Sequence, residues 1–231
     1  MPAKFYTILF VLLFFISCKS PEYDIDVIDL NDVSFNLNAE KFYAKSQNRE
    51  YIKFTSEKQF VEKDTLTAYD MDLEDDKKQI VSFQYNVKTY AVEDSVAIFK
   101  GVYFGTLSAM TDEKYNLMLL NAITKCDNAT YDKLMQQLIK EYGKPEITEK
   151  TTGFVTNKLY TWTLKDRLIQ IIPETVLDLE DEKVLLTEKD KEYVKDIQKS
   201  HLKEIYLFIC DLKYEERLRG KLHSGSWLHF E

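Results

Sequence analysis

Residues 111–145 read TDEKYNLMLLNAITKCDNATYDKLMQQLIKEYGKP, and how this stretch divides into elements decides the fold. Its second half is the clearer part. Asp127 or Asn128 is suited to cap a helix in which Tyr131, Leu134, Met135, Leu138, Ile139 and Tyr142 form one apolar stripe. Gly143 supplies the left-handed residue that ends such a helix, and Pro145 prevents its continuation. In the first half, Tyr115, Met118, Leu119, Ala122 and Ile123 also recur at three- and four-residue steps, with Thr111 placed as N-cap. Leu117 and Leu120 fall off that stripe, so this helix would be covered on more than one side. The spacing therefore predicts two helices joined by a tight turn.

On the N-terminal side, the alternation over 33–105 is that of antiparallel strands. Within 79–87, Val81, Phe83, Tyr85 and Val87 share one face, and Ser82, Gln84 and Asn86 the other. The segment 95–104 is apolar on both faces, as a central strand would be, and 64–73 reads as a third strand. Gly101 and Gly105 lack the third glycine and following helix of a phosphate loop, and read as points that relieve crowding or mark a bulge.

On the C-terminal side, strands return. Tyr160, Trp162 and Leu164 alternate with Thr161 and Thr163 over 158–164, and 165–167 turns into a strand at 168–172. A short, highly charged helix is expected at 187–200, and 205–214 reads as a second central strand carrying Cys210. The segment 220–231 holds Trp227 and Phe230, which favour packing over fraying. The expected fold is thus α+β: mainly antiparallel sheet, a central helix-turn-helix pair and a later short charged helix. Helix, helix, strand, strand, strand over 112–172 resembles the unit shared by the β-lactamase inhibitor protein and the small lipoprotein of the outer-membrane barrel-assembly machinery. That likeness is one of element order and carries no function.

The 231 residues are 45% hydrophobic and 13% aromatic, which is enough to fill a core and excludes disorder for most of the chain. A net charge of −8 repels phosphate backbones and argues against nucleic acid as a partner.

At the N-terminus, MPAKFYTILFVLLFFISC places Lys4 before an uncharged run at 5–16, apolar but for Thr7, that ends at Ser17-Cys18. Twelve residues suit a secretory core but are short of the roughly 20 that span a bilayer. The arrangement resembles the lipobox of bacterial lipoproteins, with Phe15 where leucine is commonest. The resemblance covers the first 18 residues and implies a signal peptide at 1–17 and lipid on Cys18. The polar, acidic residues that follow read as a tether, so that 18–32 is the lipidated N-terminus and tether and 33–231 the domain, with about 33–110 and 111–231 as candidate subdomains. Lys19, in place of an aspartate, implies outer-membrane sorting. Removing the first 17 residues leaves 214 and a net charge of −9, because Lys4 is the only charge lost. The remaining Cys126 and Cys210 are either one disulfide or two buried thiols.

No Walker, GxGxxG, GxSxG, HExxH or CxxC motif is present. His201, His223 and His229 lack metal-ligand spacing and read as surface residues; no metal or cofactor is expected. Asp70, Asp72 and Glu74 begin like a calcium loop, but Asp75 replaces its turn glycine and Val81 its closing glutamate. The acidic clusters at 72–77 and 178–183 then read as solvated loops. The expected function is that of an envelope lipoprotein, anchored through Cys18 to the outer membrane, binding a protein or another envelope component without catalysis. The alternative is an envelope hydrolase or carbohydrate-binding protein in which Trp162, Trp227 and several tyrosines stack on sugar rings.

Overall fold

The run at 117–122 is a strand, and the fold follows from it. In a computed structural model that describes residues 27–47, 59–71, 80–89, 95–152, 155–174 and 202–231, the chain is predominantly β. Its main strands are β2 (Gln59–Thr67), β3 (Ile80–Thr89), β6 (Thr106–Thr111), β7 (Leu117–Asp127), β8 (Glu146–Thr152), β9 (Val155–Thr163), β10 (Arg167–Pro173) and β11 (Leu202–Asp211). They form one antiparallel sheet in the order β2-β3-β6-β7-β11-β10-β9-β8. A smaller sheet pairs β1 (Ile28–Asp29) with β4 (Ala97–Phe99), and β4 with β5 (Val102–Phe104). Among the described residues the α-helices are α1 (Ala39–Gln47), α2 (Asn128–Tyr142) and the single turn α3 (Glu215–Leu218).

This corrects the expected α+β architecture with its helix pair. Only the second helix of the pair exists. Residues 117–122 are all buried, with Leu117, Leu120 and Ala122 packed in the core on one face and Met118 and Leu119 on the other. A run that is apolar but for Asn121 satisfies helical spacing by accident, and Leu, Met and Ala favour helices until sheet partners override them. Here those partners are β6 and β11. Thr111 ends β6 with its hydroxyl on the Phe83 carbonyl at 3.2 Å, so it caps nothing. The likeness to the β-lactamase inhibitor unit goes with the lost helix.

Three boundaries also move. The segment 95–104 is a hairpin, not one central strand: it reverses at Lys100 (φ 49) and Gly101 (φ 76), a pair of left-handed residues that a two-residue turn demands. Gly101 therefore makes the turn. The strand expected at 64–73 begins at Gln59 and stops at Thr67, where Asp70 accepts from the Thr67 amide and closes a 3-10 turn. Residues 28–32, expected in the tether, belong to the folded body, with Leu30 fully buried. The charged helix expected at 187–200, both acidic clusters and His201 lie outside the described residues.

α2 begins where Asp127 accepts from the Thr130 amide at 2.7 Å and ends at Gly143 (φ 83). It carries the chain from β7, in the middle of the sheet, to the edge strand β8. The meander β8 to β11 then walks back until β11 pairs with β7, so strands from both 33–110 and 111–231 share one sheet. One face of the sheet packs against α1, α2 and the small sheet through Tyr43, Phe99, Phe104, Leu134 and Leu138. The other face is covered by residues 212–231, whose Leu218, Leu222, Trp227 and Phe230 sit on Leu119, Leu168 and Phe208.

Candidate functional site

Strands β2, β3 and β6 turn polar side chains toward this second face. Alternation puts Phe83, Tyr85 and Val87 into the main core, which leaves Gln84 and Asn86 on the opposite side beside Ser108 of β6. Val81, expected on the face of Phe83, packs into the other core instead, where the register with β2 shifts between Leu66 and Thr67. The segment at 212–231 covers this end of the sheet incompletely, and a groove of about 460 Å³ remains. Its sheet wall is Asp64, Gln84, Asn86 and Ser108; its other wall is the turn Ser224, Gly225 and Ser226, with Asp70 at one end.

The groove is held by hydrogen bonds that fix amide orientation. Trp227 Nε1 donates to Gln84 Oε1 at 2.8 Å, so the Gln84 amide nitrogen is the group left to donate. Ser108 Oγ donates to Asn86 Oδ1 at 2.7 Å, and Asn86 Nδ2 reaches Asp64 at 3.3 Å. Asp70 Oδ2 accepts from both the amide and the hydroxyl of Thr67 at 2.8 Å, while its carbonyl accepts from the His223 amide at 3.0 Å. That last bond pins the segment before the turn to the 3-10 turn that follows β2. Gly225 has φ 56, a conformation that gives the turn its reversal. The Ser224 side chain caps nothing, although it precedes the 3-10 turn Gly225–His229.

The residues singled out in the sequence lie elsewhere or inside. Cys18 falls outside the described residues. Cys126 and Cys210 are free, buried thiols. Cys126 is opposite Lys203, and Cys210 lies seven residues further along β11, opposite Leu119. That is about 24 Å along the strand, beyond the reach of a disulfide. They also face different cores, Cys126 that of α2 and Cys210 that of residues 212–231. Burial, and then Asp211, pushes the Cys210 thiol far up; burial and Asp127 raise Cys126. Both are protonated at neutral pH and poor nucleophiles.

Trp162 and Trp227 are each 3% exposed. Trp162 donates to the Gly143 carbonyl at 2.8 Å and closes the end of α2, so neither indole is an open stacking platform. The tyrosines and phenylalanines are mostly interior as well, with Tyr103 at 57% the exposed exception among the described residues. His223 is exposed, whereas the half-buried His229 packs at a tilt of 38° on Tyr206 with ring centroids 4.5 Å apart. Burial, aided by Lys150, lowers the His229 pKa. Asp70, the start of the apparent calcium loop, commits its Oδ2 to its 3-10 turn.

Sequence reasoning missed the groove altogether. The one available signal was the polar face Ser82, Gln84 and Asn86 on an otherwise apolar strand. No protein-family model matches this chain, and no curated protein or solved structure matches it either.

Proposed function

We propose that the chain is a lipid-anchored binding protein of a bacterial cell envelope, held at the outer membrane through Cys18 and engaging a protein or another envelope component with its folded body. The observation that carries this reading is Cys18 itself, at the end of a twelve-residue run, apolar but for Thr7, behind Lys4. A cysteine at that boundary is where lipoprotein processing cleaves and acylates, and Ser17 before it is small enough for such cleavage. Acyl chains on one residue hold a domain to a bilayer at about 0.8 kcal/mol per buried methylene. The polar groove supports the binding half, because its amide and hydroxyl groups are fixed before any ligand arrives.

The test is metabolic labelling with an alkyne fatty acid, together with mass measurement of the mature N-terminus. Wild-type protein should carry label and begin at lipid-modified Cys18, and Cys18→Ala should lose the label and stay uncleaved. A mature N-terminus elsewhere, or label retained by Cys18→Ala, overturns the anchor.

A further inference from the structure

We infer that the groove between β3, β6 and the turn at 224–226 takes an uncharged, polyhydroxylated ligand, the neutral end of a saccharide. The inference rests on the binding-protein reading above and names the ligand class for it.

The volume comes first. About 460 Å³ falls within the ~300–1,000 Å³ of ordinary small-molecule sites and has room for a short oligosaccharide end. The chemistry of the walls then selects. Among the described residues, neither lysine, arginine nor histidine lines the groove, so a phosphate or uronate would meet Asp64 and Asp70 without a counter-charge from them. An apolar ligand would strip water from those carboxylates, from the Gln84 amide and from the serine hydroxyls while returning no hydrogen bond. Sugar hydroxyls both donate and accept. They match a wall that offers carboxylate acceptors, an amide nitrogen freed by the Trp227 bond, and hydroxyls that can do either.

Two further features favour a neutral ligand over a cation. Asp70 Oδ2 is already taken by two Thr67 donors, and Asp64 accepts from Asn86, so each carboxylate keeps acceptor capacity but has part of its charge answered. The side chains are also pre-set. Trp227 fixes Gln84 and Ser108 fixes Asn86, so binding immobilises few rotamers.

The experiment uses the full-length lipidated protein in a detergent without a sugar headgroup, applied to an array of neutral, amino and uronic oligosaccharides. Capture of neutral glycans is expected, weakened tenfold or more by Gln84→Leu. Because Gln84 also holds Trp227, a second variant, Ser224→Ala with Ser226→Ala, alters hydroxyls that cap nothing and should weaken capture while leaving the melting temperature in place. Capture of amino or uronic glycans alone, capture of none, or capture unchanged by the serine variant overturns the inference. Lipid on Cys18 without neutral-glycan capture removes only the ligand class. Capture by a protein that carries no lipid keeps the ligand class and removes the anchor.

Discussion

Trp227 Nε1 lies 2.8 Å from Gln84 Oε1, and this one hydrogen bond ties residues 212–231 to the middle of β3. The indole is 3% exposed, so its ring serves the core beneath the turn while its N–H orients an amide of the groove. One side chain couples stability to the shape of the site.

Trp227→Phe keeps most of the ring and deletes the donor, leaving Gln84 Oε1 unpaired at a cost of about 1–2 kcal/mol. Trp227→Ala adds a cavity and should cost about 3–5 kcal/mol. Urea unfolding measures both. A phenylalanine variant as stable as wild type would show that the bond contributes nothing.

The Lys63 ammonium sits 2.6 Å from Glu40 Oε2 and 4.6 and 4.7 Å from the ring centroids of Tyr115 and Phe83, and the Tyr85 hydroxyl donates to the same carboxylate oxygen at 2.5 Å. Burial, then Glu40, drives the Tyr85 phenol far above its ordinary range. Tyr85→Phe should therefore cost about 1–2 kcal/mol. Because the Glu40 side chain is 41% exposed, the Glu40–Lys63 coupling in a double-mutant cycle should stay below about 1 kcal/mol. A larger coupling would mean that water screens the pair less than its exposure implies.

Cys126 and Cys210 should resist alkylation in the native protein and both react once it is unfolded without reductant. Intact-mass measurement counts the additions. A protein in which these two residues stay blocked until reduced would contradict the strand register that separates them.

His229 is held neutral by burial beside Tyr206 and Lys150, with Glu204 partly offsetting them, so its pKa is lower folded than unfolded. The unfolded chain then binds the extra proton. This contribution is intact above the ordinary histidine value of about 6.5 and is lost as pH falls from there through the folded pKa. His229→Gln should flatten that part of the stability profile, read from urea midpoints at pH 7.5 and 5.5. Equal slopes for the two proteins would remove His229 as the cause. The Glu174 pKa is raised by burial and by Glu204, which acts in the opposite sense as pH falls, so the comparison must be made between the two proteins.

What the sequence determined by itself is local. Asp127, one of the two caps the sequence offered, Gly143 and the stripe members Tyr131, Leu134, Met135 and Leu138 mark both ends and the buried side of α2, although Ile139 of the same stripe is 43% exposed. Capping and amphipathic period are properties of neighbouring residues. The alternation of Phe83, Tyr85 and Val87 with Gln84 and Asn86 marks β3 for the same reason. The signal-like run before Cys18 is equally a matter of adjacent residues.

What only tertiary structure decided is whatever depends on being covered from two sides or on distant segments meeting. Residues 117–122 have no period, since both faces of β7 are buried; pairing with β6 and β11, not propensity, makes them a strand. Cys126 and Cys210 are parted by a register that no spacing encodes. The groove assembles Asp64, Gln84, Ser108 and Ser224 from four separate stretches, and they meet only because residues 212–231 fold back over one face of the sheet and cover that end of it in part.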